Sequence, residues 1–459
     1  MSVDEYLQQI YYHFQTLVLE PQQLSPLLLP DPMINRRLPA LQQELQRYGT
    51  PQQLNALINA NNGRNEIHAL NNLVAALLRY IRDVAPSSKL ASVDLVVEYF
   101  QALCTAFNNP KLAPKLTLTV VEMTKFAMAL CKQCDRATGG GENGFPRLTF
   151  LKSALTSVFT GVVMEMKQEF TTNPNYVIDP ALHPTDRKCI IVFLVNQLCR
   201  VYFTIGAPMS CANIFLNLRT IPLAWGSFSL ALQLEYKYWL GRYYLINQNL
   251  VQAYDALKWA WDHCPHVPGP NHTRILRYLV PCGLVLGKKL NFNSVLADRT
   301  ILQLYQPLYH HLARGNIYAF NAHLHQHEAI FTQHQVLTLL VSKTQILIVR
   351  NLFRKIYLNL GASPKLHYDA LLVGLRVAAT PSLGQPPLPA LYDFFSHTSG
   401  QTGPQNDLLL ENILVALIDQ GLMKAHIFNS LRLANCAKTD DKAWVHVPTV
   451  YRTRFVQKQ

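Results

Sequence analysis

The chain has 459 residues, of which 49% are hydrophobic and only 15% are charged. This balance excludes a disordered chain and allows a large buried core, arranged either as two or three domains or as one long helical stack. The formal net charge of +13 and the pI near 9.3 favour an anionic partner, nucleic acid or an acidic protein, but a basic protein with no such partner fits the charge equally well.

Cysteine usage and apolar runs bear on the compartment in which the protein works. The nine cysteines are an odd number and lie mostly in apolar helical runs, which is typical of reduced, buried thiols in a cytosolic or nuclear protein. The start of the chain, MSVDEYLQQI, lacks the basic and apolar regions of a secretory signal. No run of about 18 apolar residues is found, so we predict no membrane-spanning segment.

Helical spacing dominates the first part of the chain. Apolar residues recur at helical intervals over residues 2–20, and a proline-rich break is predicted at 21–32. The same spacing predicts further helices near 36–48, 51–60, 64–84, 92–108, 114–136 and 147–170. A polar stretch with several prolines at 171–186 ends this part, so we predict a first domain of N-terminal helical repeats over 1–186.

The stretch Tyr236 to Pro265 carries the strongest pattern in the chain. It predicts two antiparallel helices joined at 247–249, with landmarks at the offsets of the tetratricopeptide helix pair of about 34 residues. The landmarks are Leu240, Gly241, Tyr244, Ala253, Leu257, Ala260 and Pro265. One such pair cannot bury its own apolar face, so helices on both sides must stack on it. We therefore predict a mainly α fold, an α-solenoid of TPR-like helix hairpins.

The pattern changes after Gly361. A helix is predicted over 365–378, and a second apolar helical run follows a loop rich in proline and glycine. Beyond it, apolar residues alternate at 431–433 and 444–447 around a polar turn at 438–442, which predicts two short strands. Two strands directly after a compact set of helices are typical of a winged helix.

The third predicted domain, a winged helix with a basic tail, therefore spans 361–459. A helical stack closed by such a module resembles the layout of PCI-domain proteins, which are scaffold subunits of the proteasome lid, the signalosome and related assemblies. In that resemblance the second predicted domain, 187–360, is the helical part of the PCI domain.

Four segments resemble more specifically the mRNA-export PCI subunit of the nuclear TREX-2 complex and its relatives, the signalosome subunit 12-like proteins. The segments are LEYKYWLGRYYLINQNLVQAYDAL, TRILRYLVPCGLVLGK, ARGNIYAFNAHLHQHEAIFTQHQVLTLL and ENILVALIDQGLMKAHIFNSLRL. With an upstream piece, LRYIRDVAPSSKLASVDLVVEYFQAL, the resemblance covers roughly residues 77 to 456.

The resemblance implies a non-enzymatic scaffold subunit of a transcription-coupled mRNA export complex in the nucleus, associated with the nuclear pore. It implies that the winged helix packs beside that of a larger PCI-domain scaffold subunit, and that a small acidic DSS/Sem-type subunit joins the two. The paired winged helices would then offer a basic surface to RNA or DNA. No cofactor, membrane or small-molecule substrate is implied.

The last part of the chain supplies the candidate nucleic-acid contacts. Residues 421–459 contain seven Lys and Arg residues against two Asp residues, an excess well above the average of the chain. The candidates are Lys424, Arg432, Lys438, Lys442, Arg452 and Arg454. Such side chains can reach phosphates without reading bases, which gives salt-sensitive and weakly sequence-selective binding. A solvated basic tail is the alternative interpretation.

Apolar residues near the predicted wing are more numerous than one core face needs. We predict that a few of them form the contact with the second winged helix and that the others are core; the set is Leu408, Leu409, Leu410, Phe428 and Leu431. A second basic set, Arg350, Arg354 and Lys355, lies on a predicted helix. A solvated helix face is the favoured interpretation of this set, although it could extend the basic surface.

Three motifs resemble chemical sites but lack the required residues. The histidines within 323–327 do not complete HExxH, and the single CxxC at 131–134 has no second pair. The glycine-containing segment 283–289 is one residue shorter than a phosphate-binding loop and ends in lysine where Ser or Thr would ligate magnesium. We therefore predict no metal site, no cofactor and no enzymatic activity.

One alternative stays open. A PCI scaffold of a signalosome or proteasome-lid-like assembly, or of an RNA-processing complex, would bind proteins only and leave the basic tail solvated. Steep salt dependence would distinguish phosphate contacts from an apolar protein interface.

Overall fold

The computed structural model describes residues 2–16, 20–30, 37–62, 67–85, 88–139, 144–265, 269–288, 292, 298–382, 384–393 and 404–455. Over these ranges the chain is mostly helical, with one small sheet, and it divides into two compact units, Met1–Trp239 and Leu240–Gln459. The prediction of a mainly α fold is confirmed. The division into three domains at 186 and 360 stays a prediction.

The first unit is a stack in which the long helices pack against their neighbours along the chain. Its helices are α1 (Val3–Gln15), α2 (Pro21–Leu28), α3 (Leu38–Leu45), α4 (Pro51–Asn61), α5 (His68–Asp83), α6 (Lys89–Phe107), α7 (Ala113–Ala137), α8 (Pro146–Thr172), α9 (Ile191–Thr204) and α10 (Cys211–Arg219). Contacts join α5 to α6, α6 to α7, α7 to α8 and α8 to α9. Packing between successive neighbours is how a solenoid buries the apolar faces of its repeats.

The proline-rich segment that was predicted as a break contains α2 instead. This helix begins at Pro21, where the missing N–H does no harm because N–H groups of a first turn have no intrahelical acceptor. Leu24, Leu27 and Leu28 are buried, and α2 packs on α7. Burial of these leucines thus outweighs the interior proline, Pro26.

Two helices of the first unit, α6 and α8, are long and apolar enough to cross a membrane by length and composition alone. Charged residues such as Asp94 and Glu98 interrupt the apolar run in α6, and the absence of a membrane-spanning segment stays a prediction. More than half of the apolar window of α6 is buried, and α6 contacts α5, α7 and α8. Core helices of a stack meet the same criterion because they are apolar on several faces.

The second unit continues with stacked helices and ends in a small sheet. Helix α11 (Leu230–Ile246) contains residues of both units, and the elements that follow are α12 (Leu250–His263), α13 (Pro270–Val285), α14 (Arg299–Arg314), α15 (Ile317–Gln326), α16 (Glu328–Gln333), α17 (Leu337–Asn359), β1 (Lys365–His367), α18 (Tyr368–Ala379), α19 (Pro404–Asp419), β2 (Ala425–Phe428), β3 (Leu433–Cys436), α20 (Asp440–Ala443) and α21 (Val447–Phe455). Contacts join α12 to α13, α13 to α14, and α14 to both α15 and α17.

The helix pair predicted around residues 236–265 is confirmed, since α11 ends at Ile246 and α12 begins at Leu250. Gly241 allows the two helices to lie close together. A Cβ atom at this position would lie 2.6 Å from Cγ of Leu257 and 3.3 Å from the carbonyl oxygen of Ala253. A side chain there would have to displace the side chain of Leu257.

The sheet has the strand order β1–β3–β2 with antiparallel pairing, so the last strand in sequence lies in the centre. β2 and β3 form a hairpin through a short 3₁₀ turn, Asn429–Leu431. Helices α18 and α19 contact each other, and α18 also contacts β1. The α-solenoid with a C-terminal winged helix is therefore confirmed as the fold.

The positions of the strands differ from the prediction. Lys365–His367 is a strand rather than the start of a helix, because it pairs with Leu433–Asn435. The turn of the wing lies at 429–432, whereas 438–447, which was predicted as a turn followed by a strand, contains α20 and leads into α21. The positions of strands of three or four residues are determined by such long-range pairing rather than by local alternation of apolar and polar residues.

Candidate functional site

The outer face of the three-stranded sheet is the most distinctive surface of the winged helix. Leu366 of β1 and Ala434 of β3 are fully buried, so their neighbours in sequence face outward. The register places Lys365, Asn435 and His426 in one row across the sheet and His367, Leu433 and Phe428 in the next row. Residues in one row share a face, so Lys365 and His426 stand at one end of this face and His367 and Phe428 at the other.

Four exposed lysines gather at the first of these ends, which we name the basic end: Lys365, Lys424, Lys438 and Lys442. Backbone hydrogen bonds hold it together. The N–H of Lys424 donates to the carbonyl oxygen of Ala443 (2.8 Å), and the N–H of Ala437 donates to the carbonyl oxygen of Lys424 (3.1 Å). The N–H of Cys436 donates to the carbonyl oxygen of Pro364 (2.7 Å). These bonds bring lysines from four separate positions in the sequence to one end of one sheet.

Arg432 lies at the opposite end of the hairpin, which we name the tip (Phe428, Leu431 and Arg432). Its Nε and one terminal nitrogen donate to the two carboxylate oxygens of Asp407, at 2.9 and 3.0 Å. The same terminal nitrogen lies 3.0 Å from the carboxylate of Asp369. The hydrogen bond to Asp407 raises the pKa of this guanidinium, with smaller contributions from both carboxylate charges. The structure thus separates Arg432 from the four lysines and gives it two acidic partners.

The ion pair with Asp407 fits the unusual backbone at the tip. Arg432 has φ +46°, in the left-handed region that non-glycine residues enter at a cost of about 1–2 kcal/mol. Its carbonyl oxygen accepts a hydrogen bond of 2.9 Å from the N–H of Tyr368 at the start of α18. Side chain and backbone together tie the tip to the first turns of α18 and α19.

The apolar candidates divide into exposed and buried residues. Leu408, Phe428 and Leu431 are 59%, 44% and 63% exposed. Leu408 follows Asp407 and Leu431 precedes Arg432, so each leucine is next in sequence to a member of the Asp407–Arg432 ion pair. Leu409 is half-buried. Leu410 is fully buried and serves the core rather than a surface.

The two arginines of the tail are on a helix. Both Arg452 and Arg454 belong to α21, and a solvated basic tail stays the alternative interpretation. Arg452 is exposed, and the side chain of Arg454 lies outside the described residues. A contact of either residue with nucleic acid stays a prediction.

Arg350 does not lie on a solvated helix face, and that interpretation is wrong for it. Only 8% of the residue is exposed. One terminal nitrogen donates to the carbonyl oxygen of Val445 (2.9 Å) and the other to Oδ1 of Asn351 (2.9 Å). Its guanidinium carbon lies 5.8 Å from the ring centroid of Trp444. Arg350 therefore holds the segment between α20 and α21 against α17.

The sequence patterns did not identify two basic residues on the outer face of the sheet, Lys365 and His426. The alternation Lys365–Leu366–His367 is visible in the sequence, but it covers only three residues. A pattern of this length cannot be distinguished from the start of a helix. The position of His426 on the outer face follows only from the register between β2 and β3.

Two residues of the motifs that resembled chemical sites, His323 and Cys131, are half-buried and buried in the fold, respectively. Nε2 of His323 is 2.9 Å from the carbonyl oxygen of Leu304, and burial lowers the pKa of this imidazole. Burial raises the pKa of the Cys131 thiol to about 12. Among the residues that the structure describes, no group of three or more His, Cys, Asp or Glu side chains is placed to hold a metal ion.

Comparison with known proteins relates the chain to PCI-domain proteins, as the sequence resemblance predicted. The chain is 29% identical over 385 residues to the nuclear mRNA export protein THP1 of Saccharomyces cerevisiae, covering 80% of each chain. It is 24% identical over 383 residues to the PCI domain-containing protein C1105.07c of Schizosaccharomyces pombe, covering 82% of this chain and 80% of that one. A CSN12 homolog of Neurospora crassa is 30% identical over 181 residues, covering 38% of this chain and 39% of that one. No model of a known protein family matches the chain.

Proposed function

We propose that this protein is a non-enzymatic scaffold subunit of a nuclear complex of the TREX-2 type that couples transcription to mRNA export at the nuclear pore. Similarity to a nuclear mRNA export protein over 80% of both chains supports this role. In the proposed complex the winged helix pairs with that of a larger PCI subunit, and a small acidic DSS/Sem-type subunit joins the two. The paired modules bind RNA or DNA.

One observation carries the proposal: the winged helix has a basic end and an apolar tip at opposite ends of the same sheet. Phe428 and Leu431 of the tip and the neighbouring Leu408 are exposed, and covering them with a partner would be favourable in free energy. The four lysines of the basic end stay available to phosphates while the tip is covered. A scaffold that binds protein and nucleic acid at the same time needs this separation.

Replacing lysines of the basic end tests the nucleic-acid part. We expect Lys365→Gln, Lys424→Gln and Lys438→Gln together to weaken binding of a labelled oligonucleotide about tenfold at low salt and to reduce the slope of log K against log salt by about 2, as the loss of three contacts with a single strand predicts. Fluorescence anisotropy of the full chain over a range of salt concentrations measures both quantities.

A matched variant controls for the change in net charge. Lys89→Gln, Lys111→Gln and Lys343→Gln remove three exposed lysines elsewhere in the chain and should leave affinity and slope unchanged. Equal effects of the two triple variants would mean that net charge, and not the basic end, attracts the nucleic acid.

The protein-only scaffold is the competing function. Weak binding with a flat salt dependence in the unmodified protein would favour it, because an apolar protein interface releases few counterions. Affinity purification of the full chain followed by mass spectrometry then identifies the large PCI subunit that accompanies it. A signalosome subunit in place of an mRNA export subunit would overturn the proposed complex.

A further inference from the structure

Helix α21 connects the basic end to the helical stack of the second unit. A Cβ atom on Gly287, at the end of α13, would lie 2.6 Å from Cγ1 of Val447, so the start of α21 rests directly on this glycine. A Cβ atom on Gly421 would lie 3.6 Å from Cγ1 of Val450. Gly421 is three residues before Lys424, and α21 also contacts α12. The helix therefore lies between the basic end and the α12–α13 hairpin.

A second group of cations lies where α21 meets the α12–α13 hairpin. Nζ of Lys288, just after α13, lies 3.4 Å from the ring centroid of Tyr254 on α12. Burial lowers the pKa of Lys288 most, the carboxylate of Asp255 acts in the opposite direction, and the charges of Arg452 and Lys258 lower the pKa further. Lys258 lies one turn after Tyr254 on α12, and Arg452 lies on α21, whose first residue packs on Gly287. These contacts bring together three cations from two helices and the segment after α13, which we name the ridge (Lys258, Lys288 and Arg452).

The ridge is only partly neutralised by the protein itself. Lys258 forms an ion pair with Asp262 one turn along α12. In the described part of the chain no carboxylate forms an ion pair with Lys288 or Arg452, and Lys288 is held instead against the negative face of the Tyr254 ring. Like charges kept close together at a surface repel each other, and a bound polyanion relieves that repulsion.

We propose that the ridge is a second phosphate-binding site, which takes the phosphodiester backbone of the same nucleic acid strand that the basic end binds. This inference rests on the proposed function. The strand would pass from the lysines of the sheet over α21 to the α12–α13 hairpin. Tyr254 would hold the ammonium group of Lys288 in place for the phosphate, since a fixed side chain loses less conformational freedom on binding.

The test uses fluorescein-labelled oligouridylates of two lengths, a short one that spans only the basic end and a longer one. We expect Lys258→Gln with Lys288→Gln to weaken binding of the long strand several-fold and to reduce its salt slope by about 1.4, the value for two phosphate contacts with a single strand. Binding of the short strand should not change. Arg452→Gln alone should reduce the slope for the long strand by about 0.7.

Control variants separate the ridge from general effects. Lys89→Gln with Lys343→Gln removes the same charge elsewhere and should leave both lengths unaffected. Thermal unfolding of each variant checks that α12 and α21 are still folded, and Arg452→Gln, at an exposed position, keeps the test valid if the double lysine variant unfolds.

The outcomes distinguish this inference from the proposed function. If the long strand binds the ridge variant with unchanged affinity and slope, while the basic-end variant loses binding, the ridge is not a phosphate site and the proposed function stands. An equal loss for short and long strands also overturns the ridge as an extension of the path. If the unmodified protein binds neither strand in a salt-dependent way, the nucleic-acid part of the proposed function fails together with the ridge.

Discussion

Arginines at two positions of this protein hold its parts together, although the sequence shows them only as positive charge. Arg432 reaches Asp407 and Asp369 at the tip, and Arg350 reaches the backbone of Val445. The planar guanidinium group suits both tasks because it can donate several hydrogen bonds in fixed directions. Lysines, in contrast, supply the exposed charge of the basic end.

The close packing at Gly241 predicts the effect of adding one methyl group there. Alanine at this position gains up to about 1 kcal/mol of helix propensity, but its Cβ would lie 2.6 Å from Leu257, and such overpacking costs about 1–3 kcal/mol. We expect Gly241→Ala to lower the free energy of unfolding by about 1 kcal/mol in chemical denaturation. Gly226→Ala is the control, since nothing lies within 4 Å of a Cβ there. A more stable Gly241→Ala variant would contradict the close approach of α11 and α12.

His334 gives a pH-dependent prediction. Burial, helped by the charge of Arg277, lowers the pKa of this imidazole from 6.5 to about 4, so between these values the unfolded chain binds more protons than the folded one. The contribution of His334 to stability is therefore complete above about pH 6.5 and falls as the pH drops towards 4, by about 3 kcal/mol. Thermal unfolding across this range measures the effect.

The variant His334→Gln should make the unfolding temperature less dependent on pH between 4 and 6.5. The same replacement at His426, which is exposed on the sheet, controls for the loss of a histidine. A pH profile of His334→Gln identical to that of the unmodified protein would show that another group causes the dependence.

At the scale of elements, the wing illustrates how a short hairpin holds two groups of exposed side chains apart. Two antiparallel strands of four residues carry the tip away from the basic end, and the ion pairs of Arg432 tie the tip to α18 and α19. These ion pairs fix the backbone beside the exposed apolar side chains. A surface that is fixed beforehand loses less entropy when it binds.

We expect Leu408→Asp with Leu431→Asp to abolish copurification of the larger PCI subunit, because two carboxylates would have to be buried in an apolar contact. Pull-down of the full chain measures this, and circular dichroism confirms that the variant is folded. Val377→Asp on α18, at a residue that is 72% exposed, is the matched control. Retention of the partner by the double variant together with its loss in Val377→Asp would place the interface on α18 instead.

The helix pair could be predicted from the sequence whereas the strands could not, and the reason is the range of the interactions that determine each element. Gly241, Tyr244 and Pro265 mark a local pattern whose period is visible within one helix pair. Strand β1 exists because Lys365 faces Asn435, a residue 70 positions further on. The candidate lysines were found from the charge of the segment, but their separation from Arg432 depends on backbone bonds such as that between Lys424 and Ala443.

At the scale of the whole molecule, apolar side chains pack the helices of each unit against one another. Helix α6 has the composition of a membrane span, yet Tyr99, Phe100 and Phe107 are buried against neighbouring helices. A stack of this kind keeps strongly apolar helices away from water by covering them on more than one side.

We therefore expect the purified full chain to remain in the soluble fraction when it is mixed with neutral phosphatidylcholine vesicles and centrifuged through a density gradient. Insertion of α6 would require it to leave its contacts with α5, α7 and α8. Flotation of the folded protein with these vesicles would show that α6 or α8 can be released from the first unit.

The central place of β3 in the sheet has a consequence for synthesis. While the ribosome is still translating the residues before Leu433, β1 has no strand to pair with and Arg432 has not yet reached its acidic partners. The winged helix can therefore close only late in translation, after the helical repeats have emerged. A chain that stops before Leu433 could not form the sheet that holds the basic end and the tip in place, so a partner that binds the folded winged helix would select for chains translated beyond β3.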